Sequence, residues 1–320
     1  FTKSLTHQFH ERAVSYDGQV SFARRLPFVA LVFTLFVSSS SASTAAERDR
    51  CITGQIVTAA GDIEPPPAST PLESSLTIAS LNMAGKMAIV DAVAAWIDQR
   101  AIDVLFLQEV GQEHGDGAAF MSALGERLRL PYAYAPSTPF ETGHMQGLAI
   151  VSRYPLTDVN VQQLKYNHLR FRSRCRIALG ATISTPDGPI RVTNVHLDTR
   201  INGSRRIEQL ARAVVALDVF RGAEIIGGDF NTLNIKWLDS MWPIFFAEHQ
   251  GRAVREELEK AGFGTPFGDT RPTFKFMGLP LKLDWLYLRS LKPNEVGVDD
   301  VPLSDHRGIW TRASLIDSVQ

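Results

Sequence analysis

The chain is 320 residues long, 44% apolar and 21% charged, with 23 glycines, 17 prolines and two cysteines. That balance excludes collagen-like, low-complexity and disulfide-stapled chains and leaves an ordinary globular protein able to bury a sizeable core. A formal net charge of −1, from 33 basic and 34 acidic residues, gives no global reason to bind nucleic acid or an anionic membrane, so any anion site must be local.

From the amino terminus, Arg24 and Arg25 precede an apolar run from Leu26 to Val37, and small residues from Ser38 to Ala46 follow. Basic, apolar, then small and cleavable is the order of a secretory signal, and the run falls short of the ~20 residues that a bilayer-spanning helix needs. Residues 1–46 are therefore read as a truncated start plus an export signal, which predicts a secreted or periplasmic protein. Residues 47–75 carry Pro65-Pro66-Pro67 and Pro71 and read as a Pro-rich linker, because consecutive prolines lack donors for helix or sheet. In an oxidising compartment Cys51 and Cys175 are available to pair.

Residues 76–316 read as one domain. Apolar runs of strand length occur at Leu76 to Leu81, Val104 to Leu107, Leu148 to Val151, Ile177 to Ile183, Ile190 to Val195, Glu224 to Ile226 and Leu283 to Leu288. Between them, Val90, Val93, Ala94 and Ile97 share a helical face, as do Ile207, Leu210, Ala211, Val214 and Leu217. Thr185-Pro186-Asp187-Gly188 is a turn that joins its two flanking strands as an antiparallel hairpin. Strands alternating with helices predict an α/β domain, and the hairpin makes its sheets mixed.

Polar residues close the apolar runs. Asn82 ends the first and Glu109 the second; His196 and Asp198 end another, and Asp229 and Asn231 follow Ile225-Ile226-Gly227-Gly228. Each has a plain structural reading taken alone: Asn82 as turn chemistry, Glu109 as a solvated acid, Asp229-Phe230-Asn231 as a helix cap. Asp284 is harder to explain so, because a carboxylate between Leu283 and Trp285 is costly without a partner, and Asp305-His306 offers one. Strand ends on one sheet edge converge on one cleft, so the set predicts a single site.

The inventory is hard oxygen donors plus two histidines, with no cysteine cluster or zinc-type histidine spacing. It suits Mg²⁺ or Mn²⁺, held by one or two carboxylates and keeping waters that a phosphate can replace. Gly-x-x-x-x-Gly-Lys, Gly-x-Gly-x-x-Gly and Gly-x-Ser-x-Gly motifs are all missing, which removes nucleotide-triphosphatase, dinucleotide-binding and serine-hydrolase readings.

Leu81-Asn82, Leu107-Gln108-Glu109-Val110, Gly147 to Pro155, Asn194-Val195-His196-Leu197-Asp198, Gly228-Asp229-Phe230-Asn231-Thr232, Leu283-Asp284-Trp285 and Ser304-Asp305-His306 together resemble the endonuclease/exonuclease/phosphatase superfamily of deoxyribonuclease I-like metal-dependent phosphohydrolases, in a secreted bacterial-type form. The resemblance implies a four-layer α/β/β/α sandwich of two mixed sheets. It implies that Glu109 is the principal metal ligand, with Asn82 and Asp305 near the metal. His306, oriented by Asp284, is implied as general base or phosphate contact. Asp229 would position or deprotonate the attacking water, Asn231 would hold the scissile phosphate, and His196 would donate to a phosphate oxygen or the leaving group.

Two local features bear on the substrate. Arg170, Arg172, Arg174 and Arg176 share one face if their segment is an extended strand, a basic stripe to which Lys165, Arg205 and Arg206 could add; a charged edge strand is the plain alternative. Arg174, Arg176 and Asp198 are accordingly the expected substrate-binding residues. Trp237, Met241, Trp242, Ile244, Phe245 and Phe246 form an apolar segment suited to core or to a lipid interface. The first expectation is a secreted Mg²⁺-dependent phosphodiesterase acting as a nuclease, with no stable protein partner. A sphingomyelinase-type lipid phosphodiesterase and a phosphatase are the enzyme alternatives, and a catalytically silent binding module is the alternative outside enzymes.

Overall fold

The computed structural model describes residues 55–61, 75–86, 89–111, 117–139, 145–170, 174–215, 220, 222–269, 271–276 and 278–316. The predicted export signal, most of the predicted linker, Cys51, Arg172 and Leu217 lie outside them. In chain order the elements are β1 (Val57–Ala59), β2 (Leu76–Asn82), α1 (Val90–Arg100), β3 (Val104–Val110), α2 (Gly117–Leu128), β4 (Tyr132–Pro139), β5 (Met145–Ser152), β6 (Leu156–Gln163), β7 (Ile177–Thr185), β8 (Gly188–His196), α3 (Gly203–Val215) and β9 (Ala223–Asp229). They continue as β10 (Ile235–Leu238), β11 (Trp242–Phe245), α4 (Gln250–Lys260), β12 (Phe274–Phe276), β13 (Leu279–Leu281), β14 (Asp284–Arg289), β15 (Leu291–Asp300) and β16 (Arg307–Leu315).

Two mixed sheets carry the fold, one of seven strands in the order β1-β4-β5-β3-β2-β16-β15 and one of five in the order β14-β9-β8-β7-β6. Within each, one neighbouring pair is parallel, β2 with β3 and β8 with β9. Every predicted strand is present, and Thr185 pairs with Gly188 to close the expected antiparallel hairpin. One expectation is corrected: Val57–Ala59, inside the predicted linker, form an edge strand antiparallel to β4.

Successive residues of β2 and β3 feed two different cores. Ile78, Val104 and Phe106 pack between the sheets with Leu179, Val192, Ile225 and Leu286. Ala79, Leu81, Leu105 and Leu107 face the other way, onto Val93, Ile97, Phe120 and Leu124 of α1 and α2. On the far side, Leu210 of α3 and Val254 and Leu258 of α4 cover the five-stranded sheet. The layers are therefore α/β/β/α. A strand buried on both faces reads as an unbroken apolar run, and each Val, Leu, Ile or Phe so buried contributes about 1.5–3 kcal/mol.

A polar cross-link spans the gap between the sheets. Gln108 Nε2 donates to Asn194 Oδ1 at 2.8 Å and to Ser80 Oγ at 3.1 Å, and Asn194 Nδ2 donates to the carbonyls of Leu107 and Ala149, each at 2.8 Å. Asn194 thus ties β8 to β3 and β5 of the other sheet. Its partners satisfy each other, so burial carries no unpaired-group penalty, and the network fixes one sheet's register against the other. Glu109 follows Gln108, and His196 lies two residues after Asn194.

Candidate active site

The strand ends converge as expected. His196 and Asp229 are register partners on β8 and β9, and Asp284 and Asp229 are partners on β14 and β9, so three adjacent strands present three titratable groups at one level. Gly228 makes the β8–β9 approach possible: its φ is +141°, and a Cβ there would sit 1.9 Å from the Val195 carbonyl oxygen. Glu109 arrives from the facing sheet at a β-bulge in the β3–β5 pairing, with φ +56°, and Asn231 has φ +50°. Such left-handed backbone at non-glycine residues is costly, and here it re-aims side chains towards the cleft.

His306 Nδ1 lies 2.9 Å from Asp284 Oδ2, with both groups buried. Burial alone would lower the histidine's pKa; the charge and hydrogen bond of Asp284, helped by Asp229 and Asp305, outweigh it and push the value up to about 10. His306 is thus an imidazolium at neutral pH. Thr273 Oγ1 accepts from the Leu283 and Asp284 backbone N–H groups, the Phe274 ring lies 4.7 Å from the His306 ring, and Ser304 Oγ joins the His306 N–H to the Asn82 carbonyl. Thr273 and Phe274 had no signal in the sequence, because their role depends on a hairpin that only tertiary structure places there.

His196 is the opposite case. Its Nε2 stands 3.5 Å from Asp229 Oδ2 and 3.8 Å from Glu109 Oε1. Burial, then the charges of Arg176, Arg174 and His306, hold its pKa well below the ordinary histidine value. It is neutral, with Nε2 facing two carboxylates. Asp229 is raised, first by burial and then by the Asp284 charge, against hydrogen bonds from the Asn231 N–H at 2.8 Å and Asn82 Nδ2 at 3.0 Å.

The expected metal set divides. Glu109 reaches the cleft, part-exposed, and accepts no hydrogen bond among the described residues. Asn82 is buried and its amide is engaged at both ends, with Oδ1 accepting from the Ala84 N–H at 2.9 Å and Nδ2 bonded to Asp229. Asp305 is exposed, and its charge reaches His306. Donor atoms of Asp229, Asp284 and His306 lie within 4.8 Å of one another, although His306 Nδ1 is already committed to Asp284. Glu109, whose carboxylate faces the cleft unengaged, with Asp229 and the Asn82 amide nearby, supplies oxygen donors of the kind a hard divalent cation takes.

Among the described residues the expected basic stripe does not form. The chain at 174–176 is not strand, since β7 begins at Ile177, and the arginines separate. Arg170 is exposed and paired with Asp239 at 2.7 Å, while Lys165 pairs with Glu208. Arg176 is buried, with Nε 3.2 Å from Asp198 Oδ1, and Asp198 also accepts from Asn167 and Gln209, each at 3.0 Å. Arg176 and Asp198 therefore form a buried ion pair beneath His196, and Arg174 Nη1 donates to Gln146 Oε1 at 3.0 Å. Cys175, between them, is disulfide-bonded.

Arg206, expected among the surface cations, is fully buried. Its Nη1 donates at 2.6 Å to both the Asp198 and Phe230 carbonyls, Nη2 to the Ile201 carbonyl at 3.1 Å, and Nε to Gln250 Oε1 at 3.2 Å. One side chain thus ties the segment after His196 to the segment after Asp229.

The sequence profile of the Endonuclease/Exonuclease/phosphatase family matches residues 79–306. The chain belongs to this family. Endonuclease/exonuclease/phosphatase proteins hydrolyse phosphoric esters with a divalent metal. Solved structures share the fold: an endonuclease/exonuclease/phosphatase protein from Beutenbergia cavernae superposes with TM-score 0.62 at 19% identity, covering 76% of this chain and 72% of that one. ANGEL2, a 2′,3′-cyclic phosphatase, gives 0.55 at 16% over 76% and 96%, and the endonuclease domain of the retrotransposon TRAS1 gives 0.50 at 16% over 76% and 100%. No match was found among curated proteins.

Proposed function

We propose that this protein is an exported, Mg²⁺-dependent phosphodiesterase that cleaves nucleic acid. The observation that carries the reading is the meeting, across two sheets, of a carboxylate-held imidazolium at His306 with Glu109, Asp229, Asn82 and a neutral His196. A divalent cation held by Glu109 would supply Lewis-acid stabilisation of charge on the phosphate oxygens. His306 donates to a non-bridging phosphate oxygen and stabilises its charge. Asp229, raised towards neutrality, orients the attacking water and accepts its proton, since a base works best with a pKa near the working pH. His196 and Asn231 hold the phosphate from the other side. Nucleic acid is placed first because the fold is shared with an endonuclease domain and with a cyclic phosphatase seen with adenosine-2′,3′-vanadate.

A second reading, a lipid phosphodiesterase, has one observation in its favour. The β10–β11 hairpin exposes Leu238, Trp242 (60%), Ile244, Phe245 and Phe246 (79%), while Trp237 is buried. Side chains of this kind on a two-stranded ribbon suit a lipid interface. Cleavage of supercoiled plasmid, release of phosphocholine from sphingomyelin and release of phosphate from a monoester, each with Mg²⁺ and with chelator, separate the readings. Chelator-sensitive nicking with neither of the others supports the first; phosphocholine release without nicking replaces it with the second.

A further inference from the structure

At the mouth between the two sheets, Ser137, Gln146, Gly147 and Leu148 from one sheet face Arg176, Ile177 and His196 from the other across a cleft too narrow for a ring. Gln146 is 2% exposed, and its Nε2 is a buried donor with no partner among the described residues. Amide flipping does not rescue it. Oε1 accepts from Arg174 Nη1 at 3.0 Å, and the flipped amide would set two donors against each other. The orientation is therefore fixed, and the orphaned N–H lies at the cleft beside His196. A donor left unsatisfied in this way is costly unless a ligand's acceptor completes it.

We propose that Gln146 is a substrate-binding residue whose Nε2 donates to a non-bridging oxygen of the phosphate next to the scissile one. The inference rests on the phosphodiesterase reading and sharpens it, since it assigns the site to a chain of at least two phosphates. Two observations favour an anionic oxygen over a hydroxyl or a base. The charges of both Arg174 and Arg176 reach the cleft, as their effect on His196 records. In addition, the guanidinium bonded to Oε1 polarises the amide and strengthens its N–H as a donor. Ser137 cannot compete for the oxygen, since its hydroxyl already donates to the Gln146 carbonyl at 3.1 Å.

The test compares thymidine dinucleotides with and without an added terminal phosphate, pTpT and TpTp against TpT, in Mg²⁺. In the natural protein one of the added phosphates should raise kcat/KM about tenfold, chiefly through KM, as a hydrogen bond to a charged group does. Gln146→Met keeps volume and removes the donor, and that ratio should fall to about one. Gln146→Glu keeps the shape and the Arg174 partner but turns a carboxylate oxygen to the cleft, so the ratio should drop below one, with the penalty relieved by salt. A ratio unchanged in Gln146→Met, an equal loss on all three substrates, or no effect of either phosphate in the natural protein overturns the assignment while leaving the phosphodiesterase reading standing. No turnover of TpT or of bis(p-nitrophenyl) phosphate by the natural protein overturns both.

Discussion

The two histidines divide the cleft into unlike halves. On one side His306 is propped by Asp284 at 2.9 Å, its ring covered by Phe274, and it carries a charge. On the other side His196 is surrounded by carboxylates at 3.5 and 3.8 Å yet backed by two arginines, and it is neutral. The contrast teaches that charge state follows the balance behind the ring. A single carboxylate in hydrogen-bond contact outweighs desolvation at His306, whereas longer contacts and nearby cations leave desolvation dominant at His196. One imidazolium and one neutral imidazole within a single cleft give a fixed donor and a titratable partner without any difference in residue type.

The largest expected effect breaks the charged half. His306→Ala should lower turnover by roughly 10²–10⁴-fold with the fold retained, and Asp284→Asn should approach it by releasing the ring; plasmid cleavage rates beside circular dichroism measure both. Near-normal turnover in either variant would remove the imidazolium from the reaction. Next, Glu109→Gln should raise the Mg²⁺ concentration for half-maximal rate about 10–100-fold, and a metal titration that does not move would take Glu109 out of the metal site. Arg206→Gln attacks the framework of the neutral half. Urea unfolding should show a loss of about 1–3 kcal/mol from the stranded Asp198 and Phe230 carbonyls, and kcat should fall more than KM rises, with partial recovery in Arg206→Lys.

The smallest effect lies in the pH dependence of stability, and its sign differs between the halves. His306 has a folded pKa above its ordinary value, so its contribution is complete below about pH 6.5 and is lost as pH rises through about 10. His196 has a folded pKa below its ordinary value, so its contribution is complete above that value and is lost on acidification. Melting temperatures from pH 5 to 10 should therefore show Asp284→Asn flattening the alkaline limb only. A change confined to the acid limb would reverse the assignment of charge.

Residues that close a doubly buried strand were readable, because Asn82, Glu109, His196, Asp229 and Asp284 each interrupt an apolar run and have no reason to do so in a core. Strands such as β6, graded from part-buried to exposed, and β15, largely exposed, escaped notice since they lack such a run. Helix α4 buries only Gln250, Val254 and Leu258 and is otherwise polar. The arginine stripe failed for a related reason: period two holds along a strand, and residues 174–176 lie outside β7. Arg206 and Gln146 could not be recognised at all, because the meaning of each depends on a carbonyl or a guanidinium distant in the chain.

Strand β16 lies between β2 and β15, so a strand late in the domain pairs with one of its first. His306 stands immediately before that strand. A domain lacking both would leave Asp284 without its imidazole partner and cut β15 off from the rest of the seven-stranded sheet. Completion of the site is thus tied to completion of the sheet, so a domain truncated before β16 should lose its chemistry together with its fold.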